Sequence, residues 1–210
     1  MTHRLGWRRR FGNAELPRLP RRVDIMAMPA THRRYTAAEV RAFPEDGNRY
    51  EVIRGELHVS PSPRPRHQMV VARVSRALWS YLGVLGRADT LFAGPADISW
   101  DDETLVQPDL LVVLPEEVSN DWSTFRSLLL AVEVLSPSSL RRDRVDKRRL
   151  YQEQHVATYW IVDHDAGVVE VWEPADERPL LVAETLTWRV TPDAPELRLD
   201  LRELFSNLPS

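Results

Sequence analysis

Two acidic residues stand where acids are costly. Glu133 lies inside Leu128-Leu129-Leu130-Ala131-Val132-Glu133-Val134-Leu135, a lone carboxylate among apolar neighbours. Burying such a charge is expensive unless it is paired or holds a metal, which marks the position as a functional candidate. The alternative is that Glu133 points outward at the end of its strand, beside the turn at Ser136-Pro137. Asp109 follows Pro108 and precedes Leu110-Leu111-Val112-Val113. Proline can open a strand but not sit in its middle, so Pro108-Asp109 places a carboxylate at a strand start, next to a turn. Two carboxylates on neighbouring strand ends form a hard oxygen site, suited to Mg²⁺ or Mn²⁺. A metal there can polarise a phosphodiester and lower the pKa of a bound water.

A third candidate comes from composition. The chain has 28 basic residues, and Lys147 is the one lysine among them. Where Arg serves every ordinary need for positive charge, a retained ammonium points to a specific use. At about 100° per residue, Asp143, Lys147, Leu150, Tyr151 and Gln154 share one helical stripe. Leu150 and Tyr151 should face a sheet, so Lys147 faces it too, near the end of the Glu133 strand. Arg141, Arg142, Arg148 and Arg149 fall towards the other side, as a solvated face or as contacts to a phosphate backbone. Glu51 is a weaker candidate, because a surface Glu on a hairpin is commonplace. His67 opens a long helix and has two readings: it polarises water or binds phosphate, or it serves as a cap or surface group. The other five histidines show no ligand spacing.

The elements that must carry these residues can be read from pattern. Thr36 and Glu39 form a capping-box signature for a short helix. Tyr50 to Ser60 reads as a hairpin turning at Arg54-Gly55. The proline-rich stretch Ser60 to Pro65 is a rigid loop. Val70, Val74, Ala77, Leu78, Tyr81 and Leu82 give an apolar stripe to a helix from about Arg66 to Leu85. Short β-type runs cover Thr90–Phe92, Asp97–Trp100 and Val106–Leu114. Leu128–Leu135 is apolar on both faces apart from Glu133, as a central strand would be. A helix from about Arg142 to Gln154 follows, then strands at Tyr159–Val162 and Val168–Trp172. Weaker β-type runs and a closing helix near Leu201–Phe205 complete the chain. The expected fold is a mixed α/β sandwich with helices on the faces of one sheet. No glycine-rich phosphate loop is present.

Composition sets limits. At 210 residues the chain suggests one domain with trimmings. Residues 1–34 hold nine Arg against Glu15 and Asp24 and show no hydrophobic period. They are expected to form a disordered basic tail, and Met26 or Met28 offers an alternative start codon. The remainder, 35–210, is expected to be a single domain. Its acidic balance argues against binding nucleic acid by bulk charge. Absence of cysteine excludes disulfides, thiolate metal sites and a cysteine nucleophile. No apolar run approaches the roughly 20 residues of a membrane span. A cytoplasmic protein without membrane partners is expected.

The motifs in their order resemble one family. Tyr50-Glu51-Val52-Ile53-Arg54-Gly55-Glu56-Leu57, Ser60-Pro61-Ser62-Pro63 and His67-Gln68 are similar to the opening of the Uma family, restriction-endonuclease-type proteins expanded in cyanobacteria. The resemblance continues through Val106-Gln107-Pro108-Asp109-Leu110-Leu111, Val132-Glu133-Val134-Leu135-Ser136-Pro137-Ser138, Asp143-Arg144, Lys147, Leu150-Tyr151 and Tyr159-Trp160-Ile161-Val162-Asp163. It spans roughly residues 35–205. It implies a PD-(D/E)XK nuclease fold: a mixed central β-sheet flanked by helices, with an N-terminal hairpin and a C-terminal β extension. It implies Mg²⁺-dependent hydrolysis of DNA phosphodiesters, with Asp109 and Glu133 as the motif's acids and metal ligands. The motif's Lys would fall at Leu135, and the resemblance places the amine instead at Lys147. Glu51 would be an auxiliary metal or water ligand. DNA is the implied substrate, and a homodimer stays open. The competing reading is a nuclease-fold protein that binds nucleic acid or a partner without cutting it.

Overall fold

The computed structural model describes residues 33–209. Most of the expected tail therefore lies outside the described residues. Its last two residues join the body: Arg33 pairs with Glu39 at 3.0 Å, and Arg34 pairs with Glu103.

Helix α1 (Ala37–Arg41) starts at the expected capping box, where Thr36 and Glu39 each accept the other's backbone N–H. Strands β1 (Arg49–Ile53) and β2 (Glu56–Ser60) form the expected hairpin. Arg54 and Gly55 both have positive φ, the conformation of the two-residue turn that matches strand twist. Helix α2 (Pro65–Val84) buries Val70, Val74, Leu78 and Leu82, as its stripe requires. Then come β3 (Leu91–Ala93), β4 (Ile98–Asp101), β5 (Thr104–Val106), β6 (Leu110–Val113) and β7 (Leu128–Val134). A π-helical stretch at Arg142–Lys147 runs into α3 (Arg148–Glu153). Strands β8 (Tyr159–Asp163), β9 (Val168–Trp172) and β10 (Leu180–Val182) follow. The ribbon β11 (Thr185–Trp188) and β12 (Leu197–Asp200) and helix α4 (Leu201–Leu204) end the chain. Among the described residues no helix is long and apolar enough to cross a membrane.

The central sheet has six strands in the order β10-β9-β8-β7-β6-β3. Only β7 and β8 pair in parallel, and the helical segment 142–153 supplies the crossover that a parallel pair needs. Strand alternation sorts its two faces. Leu110, Val112, Leu130, Val132, Trp160 and Val162 pack with the α2 stripe. Leu111, Val113, Ala131, Tyr159 and Ile161 pack with Leu150 and Tyr151 of α3. Glu133 is in phase with Ala131 and therefore faces α3.

The expectation of one sheet needs correction. The hairpin belongs to a second, four-stranded sheet in the order β2-β1-β5-β4. Ile53, Ile98 and Val106 of that sheet pack into the same core as Leu111 and Ala131. The apolar run Val106–Leu114 is correspondingly two strands: β5 ends at Val106 in one sheet, and β6 begins at Leu110 in the other. Gln107-Pro108-Asp109 is the crossing between them. Proline, lacking an N–H, suits a position that pairs with neither ladder.

Candidate active site

The crossing brings the acids together. Asp109 donates its backbone N–H to the Val132 carbonyl at 3.1 Å and accepts the Gly94 N–H on its own carbonyl at 2.9 Å. Gly94 has to be glycine, because a Cβ there would lie 2.5 Å from the Pro108 carbonyl oxygen. The clamped Asp109 immediately precedes Leu110, which pairs with Val132, so its side chain meets the Glu133 end of β7. Asp109 Oδ2 accepts the Val134 N–H at 2.9 Å and lies 3.1 Å from His67 Nε2, while Oδ1 accepts from Arg49 Nη1 at 3.0 Å. Burial pushes this carboxyl up, but the His67 hydrogen bond and the Arg49 charge prevail and hold it at about 2.

Glu133 is 2% exposed, which excludes the outward orientation. Its Oε1 accepts from Lys147 Nζ at 2.7 Å and Tyr151 Oη at 3.2 Å. Its Oε2 has no hydrogen bond among the described residues, and the side chain lines a cleft of about 410 Å³. Burial raises Glu133 first of all. Lys147 opposes the rise, while Asp143, Asp109 and Glu51 add like-charge repulsion, and the carboxyl sits at about 8. Burial keeps the Tyr151 hydroxyl far above its ordinary range, so it remains a neutral donor.

Lys147 is fully buried, with Nζ 2.7 Å from both Glu51 Oε1 and Glu133 Oε1 and 4.0 Å from Asp143 Oδ1. Burial alone would lower it, and the three carboxylates raise it instead. It faces the sheet, as its helical stripe requires, but it stands behind Glu133 and is not part of the cleft wall. Glu51 is not the surface residue that hairpin alternation suggests. It is fully buried and accepts both Lys147 and the Gln107 N–H, the latter at 2.7 Å. Burial raises Glu51, and the charges of Lys147 and Arg142 bring it below the ordinary value. Two glutamates on one ammonium thus differ: Glu51 is shifted down and Glu133 up.

His67 is buried on the first turn of α2. It faces the cleft and makes no cap, and its Nδ1 has no hydrogen bond among the described residues. The structure adds residues that pattern reading missed or misplaced. Asp143, on the inward helical stripe, is a fourth buried carboxylate on the cleft wall, and burial is the first cause of its raised pKa. Arg142, assigned by helix geometry to the outer face, turns inward, with its side chain 10% exposed. It lies 3.4 Å from Glu51 Oε2 and 3.5 Å from Asp143 Oδ1. The π-helical stretch accounts for part of this change. The Asp143 carbonyl accepts both the Arg148 N–H and, at 3.1 Å, the Tyr159 hydroxyl, which widens the turn. Only the stripe Asp143–Lys147–Leu150–Tyr151 was legible beforehand.

The donor chemistry fits a hard divalent cation. Asp109 and Glu133 reach one cleft from adjacent strands, and Glu133 Oε2 has no protein donor among the described residues. No group of three or more His, Cys, Asp or Glu that could hold a metal is found among the described residues. Mg²⁺ is commonly held by one or two carboxylates together with waters and substrate phosphate.

A family model described as "Uma2: Putative restriction endonuclease" matches residues 37–202. Among solved structures the chain is similar to one described as a "putative nuclease belonging to DUF820" from Anabaena variabilis. The identity is 21% and the TM-score 0.66, over 83% of this chain and 99% of that one. At this identity the likeness speaks for the fold alone, a restriction-endonuclease-like mixed sheet flanked by helices. No curated protein matches the chain.

Proposed function

The chain belongs to the Uma2 family, described as "Putative restriction endonuclease", and from that membership we propose that it hydrolyses DNA phosphodiesters with Mg²⁺ or Mn²⁺ held by Asp109 and Glu133. The observation that carries this reading is the convergence on one cleft of Asp109, just before β6, and Glu133 of the adjacent β7, the latter with an oxygen free of protein donors among the described residues. A divalent cation bound there supplies charge stabilisation to the phosphoryl group.

The chain's own residues have separable tasks. The Val134 N–H, Arg49 and His67 fix Asp109 in one orientation and keep it ionised. Lys147 and Tyr151 hold Glu133 by Oε1 and leave Oε2 facing the cleft. Glu51 fixes Lys147 from the opposite side and is itself fixed by the Gln107 N–H. In this arrangement Lys147 is a positioning residue, acting through Glu133. Such preorganisation matters because loose carboxylates would have to reorient during the reaction.

A second reading has one observation in its favour. Asp109 already accepts from protein donors on both oxygens, so a site that kept this closed form would bind nucleic acid without cutting it. Purified protein incubated with supercoiled, linear and single-stranded DNA, with and without Mg²⁺ or Mn²⁺, separates the two. Metal-dependent cleavage that Glu133→Gln abolishes supports the nuclease reading. Binding without cleavage under every metal condition supports the second.

A further inference from the structure

We propose that Arg49 and Arg142 are the groups that hold the substrate's phosphate and that Lys147 does not touch it, an assignment that rests on the nuclease reading above. The problem they solve is electrostatic. Glu51, Asp109, Glu133 and Asp143 converge behind one cleft, and a phosphodiester approaching three or four carboxylates is repelled. The one ammonium of the protein cannot answer this repulsion directly. Lys147 is 0% exposed and enclosed by Glu51 and Glu133.

The two arginines are placed otherwise. Both line the cleft, Arg49 on the Asp109 side and Arg142 on the Asp143 side. Their side chains are 20% and 10% exposed, enough to be reached and too little to be idle surface charge. Each guanidinium is only partly used. Arg49 bonds through Nη1 alone, to Asp109 Oδ1 at 3.0 Å and the Gln107 carbonyl at 3.4 Å. Arg142 uses Nη1 on Ser60 Oγ and on Glu51 Oε2 at 3.4 Å, and makes a long 3.5 Å contact from Nε to Asp143. Neither Nη2 makes a hydrogen bond among the described residues, and neither is a fully buried atom. A guanidinium presents five donors in a rigid fork that matches phosphate oxygens, so one edge can hold a carboxylate while the other holds phosphate. Two forks in one cleft, one beside Asp109 and one beside Asp143, would grip one strand at the reacting phosphate.

Binding without chemistry tests this. A short fluorescent single-stranded oligodeoxynucleotide is titrated in EDTA, and affinity is followed against salt concentration. Arg49→Gln and Arg142→Gln should each weaken binding about tenfold or more, as loss of a charge-assisted hydrogen bond does. Each should flatten the log–log salt slope by about 0.7, the value for one phosphate contact on a single strand. Arg202→Gln, on α4 at 83% side-chain exposure and outside the cleft, serves as control and should change neither. Because a Gln variant removes a partner of buried acids, Arg49→Lys and Arg142→Lys back it up. They keep the charge and the slope but lose the fork and severalfold in affinity. The lysine claim has its own readout. Lys147 is the sole lysine, so an amine-reactive reagent followed by mass spectrometry reports on it alone among side chains. It should stay unmodified in the native protein with or without oligonucleotide.

Wild-type affinity and slope in the folded Arg49 and Arg142 variants would overturn the assignment. So would a Lys147 that reacts in the native protein and is protected by oligonucleotide. If wild type neither binds the oligonucleotide nor cleaves DNA with metal, the nuclease reading itself falls. If wild type binds and the arginine variants bind equally, only the arginine assignment falls.

Discussion

Asp109→Asn and Glu133→Gln look like equivalent neutralisations of a metal site, yet the structure assigns them opposite effects on the metal-free protein. Asp109 accepts the Val134 N–H, faces His67 and pairs with Arg49, and its carboxyl sits at about 2 against an ordinary 3.8. A depressed pKa stabilises the fold above the unfolded value and is lost as pH falls through the folded one. At pH 7 the full contribution is present, on the order of 2–3 kcal/mol at about 1.36 kcal/mol per unit. Asn cannot carry the charge, so Asp109→Asn should lower the melting temperature by roughly 5–10 °C. Glu133 sits at about 8 against an ordinary 4.5, so its ionised form is the disfavoured one. A raised acid binds a proton in the folded state that the unfolded chain has released, so wild-type stability declines as pH rises from about 4.5 to about 8. Glu133→Gln removes that decline. It should cost little at pH 5 and match or exceed wild type at pH 8. Melting followed by circular dichroism at pH 5, 7 and 8, in EDTA, reads both. Equal losses in the two variants, or a gap between Glu133→Gln and wild type that ignores pH, would refute the charge assignment.

Other consequences are as direct. Lys147→Met strands Glu51 and Glu133 without their cation and should cost about 3–5 kcal/mol in urea unfolding at pH 8, less at pH 5 where the glutamates take up protons. A loss independent of pH would show that lost packing, not charge, dominates. Lys147→Arg is not a silent exchange either, because the site is fully buried and a guanidinium is larger, so it should also lower stability. Gly94→Ala forces a Cβ to within 2.5 Å of the Pro108 carbonyl and should cost about 1–3 kcal/mol. It should also reduce cleavage more than global stability explains, because Asp109 moves with Pro108; unchanged cleavage in a folded variant would separate the clamp from the site. Mg²⁺ should stabilise the wild type by mass action, by about 2.7 kcal/mol at a hundredfold excess over Kd and with a higher melting temperature, and leave Glu133→Gln unmoved. An equal rise in both would place the ion elsewhere.

The amino-acid sequence by itself determined what depends on near neighbours. The Thr36–Glu39 cap, the Arg54-Gly55 turn and the α2 stripe follow from local geometry and are present as expected. The cost of a lone acid in β7 and the rarity of lysine marked Glu133 and Lys147, and the two are in contact. Periodicity says which residues share a face but not what faces them, and there the reading ran out. Glu51 looked like a surface residue because what covers its face of the hairpin, Lys147 and Arg142 with the core around Ile53, comes from far along the chain. Val106–Leu114 looked like one strand because apolarity does not record a change of sheet. Arg142 was placed outside because an α-helical angle was assumed where Tyr159, arriving from β8, widens the turn. The proton balance among four acids was beyond any local rule. It depends on burial and on charges from β1, the crossing before β6, β7 and the helical crossover, and only the packed tertiary structure brings these within a few ångströms.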